Sequence, residues 1–243
     1  MKRAQSLFWV DRKLKIDMLV VHSVGFKSEE VIDIFKKHKV SSHYIVGEDG
    51  EIWQLVARKY SAWHAGISKW RGNENINARS IGIEFCSSSL GQTPFSDEQR
   101  KAGINLLKKL VKKYKIRPEN VVGHSDIAPM RKVDPGKSFF WKELSDEGIG
   151  LWYDINDAGK MNEDNINKLL EEIGYDVSNL DAAVYAFCRR FYPEKINEER
   201  DIMQMEKQPF GDSVDIICDD KFLQILKAVT YKYRNASKTP CKM

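Results

Sequence analysis

The sequence lacks any stretch of 18 or more apolar residues, which is the length that a membrane-spanning helix needs. We therefore expect no transmembrane segment. Residues 1–15 are charged throughout and lack the apolar core of a signal peptide, so no export leader is expected on the chain as written. Apolar residues make up 42% and charged residues 30% of the 243 positions, a balance that indicates a folded globular protein and excludes a disordered one.

Cysteine and concentrated positive charge are also scarce. The four cysteines are widely spaced and none forms a Cys-x-x-Cys pair, so we expect free thiols. The net charge is only +4, and the lysine clusters within 36–39 and 108–113 have helical spacing. Such spacing is typical of solvated helix faces and not of a surface that follows a nucleic-acid backbone. We expect no nucleic-acid partner, and the sequence leaves the oligomeric state unknown.

Strand and helix patterns alternate over residues 1–141. Short apolar or alternating runs predict five strands, two of them joined as a hairpin by a turn rich in Gly and Asp, at 16–22, 42–46, 51–56, 79–85 and 120–124. A helical stripe from Ile104 to Tyr114 follows the capping pair Ser96 and Gln99. This order predicts an α/β domain with a mixed central β-sheet flanked by helices.

The pattern changes after Trp141. Residues 142–161 are acidic and contain three glycines, which suits a linker or docking segment. Three helical stripes without a convincing strand follow, at 165–173, 180–192 and 219–233. We therefore predict a catalytic domain over 1–141, a linker over 142–161 and a small helical domain over 162–243. The polar segment 194–218 has no predicted structure.

Reactive side chains gather in the loop that follows the last predicted strand. His124 ends that strand, and Asp134 follows ten residues later. Functional residues often lie on loops held at the ends of rigid strands. A catalytic zinc typically takes three protein ligands from histidine and carboxylate side chains and keeps its fourth position open. His124 and Asp134 could supply two of these ligands.

Three histidines are candidates for the third ligand. His22 is best placed because, like His124, it ends an apolar strand, and adjacent strands would bring both imidazoles to one edge of the sheet. His43 begins a strand. His64 lies in a loop rich in aromatic and amide side chains that suits a groove wall, where binding substrate is as plausible as binding metal. The residues alone leave the choice open, and a hydrogen-bonded structural role is an alternative for each histidine.

Six blocks occur in the order found in one known family: Val20-Val21-His22, Ser42-His43-Tyr44, Trp63-His64-Ala65-Gly66, Ser80-Ile81-Gly82-Ile83-Glu84, Gly123-His124-Ser125-Asp126-Ile127-Ala128-Pro129, and Arg131-Lys132 with Asp134-Pro135-Gly136. Over roughly residues 16–141 they resemble the zinc-dependent N-acetylmuramoyl-L-alanine amidases of the amidase-2 family, in its AmpD/AmiD branch. That family shares its fold with phage T7 lysozyme and the peptidoglycan recognition proteins. Asp134 favours this branch because phage T7 lysozyme and the catalytic recognition proteins resemble one another in using cysteine there. Glu84 favours it because the catalytic recognition proteins usually carry tyrosine at that position. Met130 stands where the family usually has glycine.

The resemblance implies a ligand set and an activity. His22, His124 and Asp134 would bind one Zn²⁺, Glu84 would be the general base, and Lys132 would stabilise the oxyanion. The implied reaction is hydrolysis of the amide between N-acetylmuramic acid, including its 1,6-anhydro form, and L-alanine of peptidoglycan stem peptides. The expected substrate contacts are Tyr44, Trp63, His64, Asn73 and Arg79.

The helical tail resembles a divergent peptidoglycan-binding domain in segments such as Gly174-Tyr175-Asp176. The expected partners are therefore peptidoglycan or muropeptides. Because of this tail, we expect the bacterial cell envelope or periplasm, and the alternative is the cytoplasm, which the missing leader favours. The competing hypothesis is a non-catalytic peptidoglycan-binding protein, like recognition proteins that have lost zinc. The complete ligand set with Glu84 and Lys132 argues against it.

Overall fold

A computed structural model describes residues 1–4, 6, 8–196 and 218–236, so most of the unassigned segment 194–218 lies outside the described residues. The described part contains eight strands: β1 (Lys2–Arg3), β2 (Trp9–Asp11), β3 (Met18–Val24), β4 (Tyr44–Val46), β5 (Ile52–Gln54), β6 (Tyr60–Ala62), β7 (Ser80–Cys86) and β8 (Val121–Gly123). Its α-helices are α1 (Ser28–His38), α2 (Ile76–Arg79), α3 (Asp97–Tyr114), α4 (His124–Ile127), α5 (Trp141–Asp146), α6 (Ile166–Ile173), α7 (Leu180–Phe191) and α8 (Asp220–Ala236).

Six strands form one mixed sheet in the order β1-β5-β4-β7-β3-β8. Neighbouring strands are parallel except β4 and β5, which form the predicted antiparallel hairpin. Helices flank this sheet, so the predicted fold class is confirmed. A separate antiparallel pair, β2 with β6, was not predicted, because three-residue strands carry too little periodicity to detect.

Alternation along β3 sends its side chains into two different cores. Leu19 and Val21 pack on the side of the sheet covered by α3. Met18 and Val20 face the other side and join a cluster that includes the helical tail. Because alternate strand residues share a face, His22 belongs to the same side as Met18 and Val20. His22 therefore lies on the face of the sheet that the helical tail covers.

Helix α3 begins as predicted and holds two strands in place. The Ser96 hydroxyl accepts a hydrogen bond from the Gln99 amide at 3.1 Å, which caps the helix. The Gln99 side chain donates to the carbonyl oxygens of Val46 at 2.9 Å and Cys86 at 2.8 Å. Val46 and Cys86 are the last residues of β4 and β7, so the first turn of α3 fixes the ends of these two strands.

The helical tail forms as α6, α7 and α8, close to the predicted stripes. Leu169, Phe187 and Leu226 from these helices are buried in the same hydrophobic cluster as Met18 and Val20 of the sheet. The segment before them contains α5 and a 3₁₀ helix, Ile155–Lys160. The predicted domain boundaries stay a prediction, but the tail and the sheet share a core.

Two further expectations concern the membrane and the thiols. None of the helices in the described ranges combines the length and apolar character needed to cross a bilayer. Cys86 and Cys188 are buried free thiols and Cys218 is an exposed one, as expected. Cys241 lies outside the described residues.

Candidate metal centre and active site

Three predicted side chains converge where β3 and β8 end. The two strands are parallel neighbours, with Leu19 beside Val121, so their C-terminal ends deliver His22 and His124 together. The Nδ1 atoms of the two histidines lie 3.0 Å apart, and each lies 3.1 Å from Oδ2 of Asp134. All three residues are buried, and their ligand atoms lie within 4.8 Å of one another.

The hydrogen bond on the far side of the His124 ring indicates which of its nitrogens carries the proton. Its Nε2 lies 3.1 Å from the carbonyl oxygen of Ala65. Because a carbonyl oxygen only accepts, Nε2 is assigned as the N–H donor. Nδ1 of His124 therefore presents a lone pair toward Asp134.

A longer chain of hydrogen bonds has the same effect on His22. The Ser80 hydroxyl donates to the carbonyl oxygen of Ile76 at 2.6 Å, so it is an acceptor for Nε2–H of His64 at 3.0 Å. Nδ1 of His64 then accepts from Nε2–H of His22 at 3.1 Å. This leaves the lone pair of His22 on Nδ1, facing His124 and Asp134.

The three converging atoms fit a metal ion. Burial, assisted by the neighbouring His124, lowers the pKa of His22 to about 4, so its imidazole is neutral at physiological pH. Two nitrogen lone pairs and a carboxylate oxygen at 3.0–3.1 Å repel one another unless a cation lies among them. Imidazole nitrogen and carboxylate oxygen are ligands that suit zinc. His22, His124 and Asp134 could therefore hold a metal ion.

Glu84 lies beside His22 on the neighbouring strand, where the register pairs the two residues. Its carboxyl group is buried. Burial, with the negative charge of Asp134 second, raises the pKa of Glu84 to about 8, and Lys132 opposes this shift. The charge of Lys132 also lowers the pKa of His22, so the partly exposed ammonium group acts on the same site. All five predicted metal and catalytic residues thus belong to one cluster.

Three of the predicted substrate contacts are engaged elsewhere in the protein. Tyr44 is only 2% exposed and packs in the core on the α3 side of the sheet. Arg79 pairs with Asp17 at the end of β7 opposite to Glu84, with its Nε donating at 2.8 Å. His64 is buried and uses both ring nitrogens, for His22 and Ser80. The structure therefore places these three side chains in internal contacts, and their role as substrate contacts stays a prediction.

Trp63 and Asn73 lie nearer the surface. Trp63 is 40% exposed and lines a groove of about 840 Å³ together with Ile67, Met130 and Arg131. Asn73 is exposed but lies outside this lining, where its side-chain amide donates to the carbonyl oxygen of Arg71 at 3.0 Å. Trp63 is therefore the better placed of the two for a substrate.

Met130 occupies the position that usually holds glycine, yet its backbone does not need glycine. It is not among the residues with positive φ. Its side chain is 43% exposed and lies at the groove, close in sequence to Lys132. Met130 therefore forms part of the groove wall and adopts a backbone conformation open to any residue.

The orienting role of His64 and Ser80 was missed by sequence reasoning. A glycine within the buried strand β7 was the available signal, since such a glycine often marks a close approach by another group. A Cβ atom on Gly82 would lie 2.5 Å from Cγ of His64. The missing side chain of Gly82 is what admits the His64 ring behind His22.

Comparison with known proteins identifies the family of this chain. The family model described as N-acetylmuramoyl-L-alanine amidase matches residues 12–137, about half of the chain. The chain belongs to this amidase family. The amidase is 36% identical over 217 residues to the N-acetylmuramoyl-L-alanine amidase AmiD of Escherichia coli (strain K12), covering 77% of this chain and 79% of that protein. The predicted family and the prediction of an enzyme are confirmed.

Two solved structures resemble nearly the whole amidase. One is AmiD from E. coli in complex with the substrate anhydro-N-acetylmuramic acid-L-Ala-D-gamma-Glu-L-Lys, with a TM-score of 0.71, 31% identity, and coverage of 93% of this chain and 91% of that one. The other is AmpDh3 from Pseudomonas aeruginosa in complex with anhydromuramic pentapeptide, with a TM-score of 0.70, 28% identity, and coverage of 88% and 90%. The similarity therefore extends into the helical tail.

Proposed function

We propose that this amidase is a zinc enzyme that hydrolyses the amide bond between N-acetylmuramic acid, in its 1,6-anhydro form, and L-alanine of peptidoglycan stem peptides. The observation that carries the proposal is the meeting of three ligand lone pairs, on His22, His124 and Asp134, beside the buried carboxyl group of Glu84. The anhydro form is supported by the muropeptides named for the AmiD and AmpDh3 structures.

Each residue of the cluster has a defined task in this reaction. When bound, zinc supplies Lewis acidity and makes water nucleophilic at neutral pH. Glu84 accepts the proton of the attacking water and passes it to the nitrogen of the leaving amine as the C–N bond breaks. Burial, with the charge of Asp134 second, raises the pKa of Glu84 to about 8, which favours its protonated form at neutral pH. A cation held by Asp134 would oppose this shift and favour the carboxylate form that a general base needs.

Lys132 and the groove complete the proposed site. The Lys132 ammonium stabilises the negative charge that develops on the carbonyl oxygen, and this charge is larger in the transition state than in the ground state. Trp63 offers the substrate an exposed aromatic face at the groove, with Ile67 and Met130 as further apolar surface. Among the predicted substrate contacts, Trp63 is the one that we retain.

Product analysis tests the proposed function. Purified protein is incubated with a 1,6-anhydro muropeptide and, separately, with its reducing-end form, before and after treatment with a chelator. We expect mass spectrometry to show free stem peptide from the anhydro substrate, loss of this product after chelation, and its return on adding Zn²⁺. Absence of free stem peptide with the zinc-loaded protein would overturn the proposal.

We also propose that the amidase works in the bacterial cell envelope, in the periplasm. The support is that the match to AmiD covers 93% of the chain, and hence the helical tail, whose sequence resembles a peptidoglycan-binding domain. Fractionation of native cells with detection by antibody tests this location. Recovery of the protein in the cytoplasmic fraction alone would contradict it.

A further inference from the structure

A buried carboxylate in the loop from His124 to Asp134 accepts three hydrogen bonds. Asp126 lies two residues after His124 and is fully buried. Its Oδ2 accepts from the backbone N–H of Gly123 at 2.7 Å and from Nη1 of Arg190 at 2.6 Å. Its Oδ1 accepts from the hydroxyl of Tyr175 at 2.8 Å. Two of the three donors therefore come from the helical tail.

Arg190 also bonds to the strand that precedes the ligand. Its Nη2 donates to the carbonyl oxygen of Val121 at 3.1 Å, and its guanidinium lies 4.0 Å from the centre of the Trp141 ring. One planar side chain thus contacts the backbone three residues before His124 and the carboxylate two residues after it. A guanidinium suits this task because its donors are fixed in one plane.

The loop that contains Asp126 also carries Asp134, which is proposed to bind the metal together with His124. The backbone N–H of Ser125 donates to the carbonyl oxygen of Asp134 at 2.9 Å. A shift of the turn that contains Asp126 would therefore move His124 and Asp134 relative to His22. A misplacement of about 1 Å is enough to impair a site of this kind.

We propose that Arg190 is a positioning residue for the metal site, and that the helical tail is a working part of the active site through the Arg190–Asp126 pair. The inference rests on the proposed function, since it assumes that His124 and Asp134 bind zinc. A buried ion pair is weak evidence for stability, because the cost of removing two charges from water offsets their attraction. Its value here lies in fixing one arrangement of the chain around His124.

The test compares two neighbouring buried arginines of α7. Arg190→Lys keeps the charge and loses the planar contact to Asp126 and Val121. Arg189→Lys is the matched control, because Arg189 is equally buried and its guanidinium lies over the Tyr185 ring, 4.9 Å from the ring centre. Tyr175→Phe removes the hydrogen bond that a neutral hydroxyl donates to the Asp126 carboxylate, and it serves if Arg190→Lys does not fold.

Two readouts are measured on full-length protein: the Zn²⁺ dissociation constant, by competition with a fluorescent chelator, and kcat and KM on the anhydro muropeptide. For Arg190→Lys we expect zinc binding about tenfold weaker, at the lower end of the loss seen for outer partners of metal ligands. We expect kcat to fall and KM to stay nearly constant. Tyr175→Phe should show a smaller loss of the same kind, and Arg189→Lys should lower only the Tm.

Equal zinc affinity in wild type, Arg190→Lys and Tyr175→Phe would overturn the inference and leave the proposed function intact. An equal loss of affinity in Arg190→Lys and Arg189→Lys would also overturn it, because burial alone would then explain the effect. A wild-type protein that binds no zinc would instead remove the proposed function, and this inference with it.

Discussion

At the scale of single residues, the proposed metal site depends on side chains other than the three proposed ligands. His22 presents Nδ1 to the site because its Nε2–H is held by His64, which is held in turn by Ser80. Outer partners of this kind fix both the tautomer and the orientation of a ligand. The site is therefore built from two layers of side chains, and the outer layer is testable.

Replacing His64 by phenylalanine keeps a ring of similar size and removes both hydrogen bonds. We expect the zinc dissociation constant to rise about 10–100-fold, since no acceptor would then hold the proton of His22 on Nε2. Competition with a fluorescent chelator measures this change. His38→Phe is the control, at an exposed residue that ends α1. Unchanged zinc affinity in His64→Phe would show that the hydrogen-bond chain does not orient His22.

Substitution of Gly82 by alanine tests the same chain of hydrogen bonds by displacing the His64 ring. The new Cβ atom would meet Cγ of His64 at 2.5 Å, so the ring must shift from its present position. We expect a loss of about 1–3 kcal/mol in the free energy of unfolding, as for other overpacked cores. Urea denaturation measures it. Gly159→Ala is the matched control because no atom lies within 4 Å of its added Cβ, and an equal loss in both variants would contradict the account.

At the scale of elements, the local sequence predicts strands from their apolar runs and helix starts from their capping residues. The runs leading to His22 and His124 predicted adjacent strands, and Ser96 predicted the start of α3. By contrast, Arg12 looked like part of a charged terminus. Its guanidinium in fact donates to five backbone carbonyl oxygens, those of Arg58, Tyr60, Asn77, Ala78 and Ser80. A role that depends on carbonyls brought together by folding leaves no local pattern, and the same is true of Arg190.

The cap of α3 makes a direct prediction for this element. Ser96→Ala should lower the free energy of unfolding by about 1 kcal/mol, because the Gln99 amide loses its acceptor. Urea denaturation followed by circular dichroism gives the value. Ser96→Asn, which keeps a capping oxygen, should recover most of the loss. If alanine and asparagine were equally destabilising, capping would not be the cause.

At the scale of the whole molecule, the sheet and the tail bury side chains in one cluster. Phe187 of α7 and Val20 of β3 are both fully buried members of it. Composition indicated a change of structure after Trp141, but not that the two regions share a core. Periodicity reports which face of an element is apolar and is silent on which partner covers that face.

This shared cluster predicts that the tail and the sheet unfold together. Phe187→Ala should lower the free energy of unfolding by about 3–5 kcal/mol, as expected for a large buried aromatic. Hydrogen exchange should show the loss in amides of both α7 and β3. Ile67→Ala is the control, because this residue is 89% exposed and should change stability by less than about 0.5 kcal/mol. Loss of protection in α7 alone would show that the tail unfolds independently.

The most direct measurement determines zinc content and turnover together in two variants, Glu84→Gln and His124→Ala. Glu84 is assigned as the base and His124 as a ligand, so the two losses should separate. We predict that Glu84→Gln retains one zinc per chain and loses release of stem peptide from an anhydro muropeptide, and that His124→Ala loses both. Equal loss of zinc in the two variants would make Glu84 a ligand, and full turnover in Glu84→Gln would remove it from the reaction.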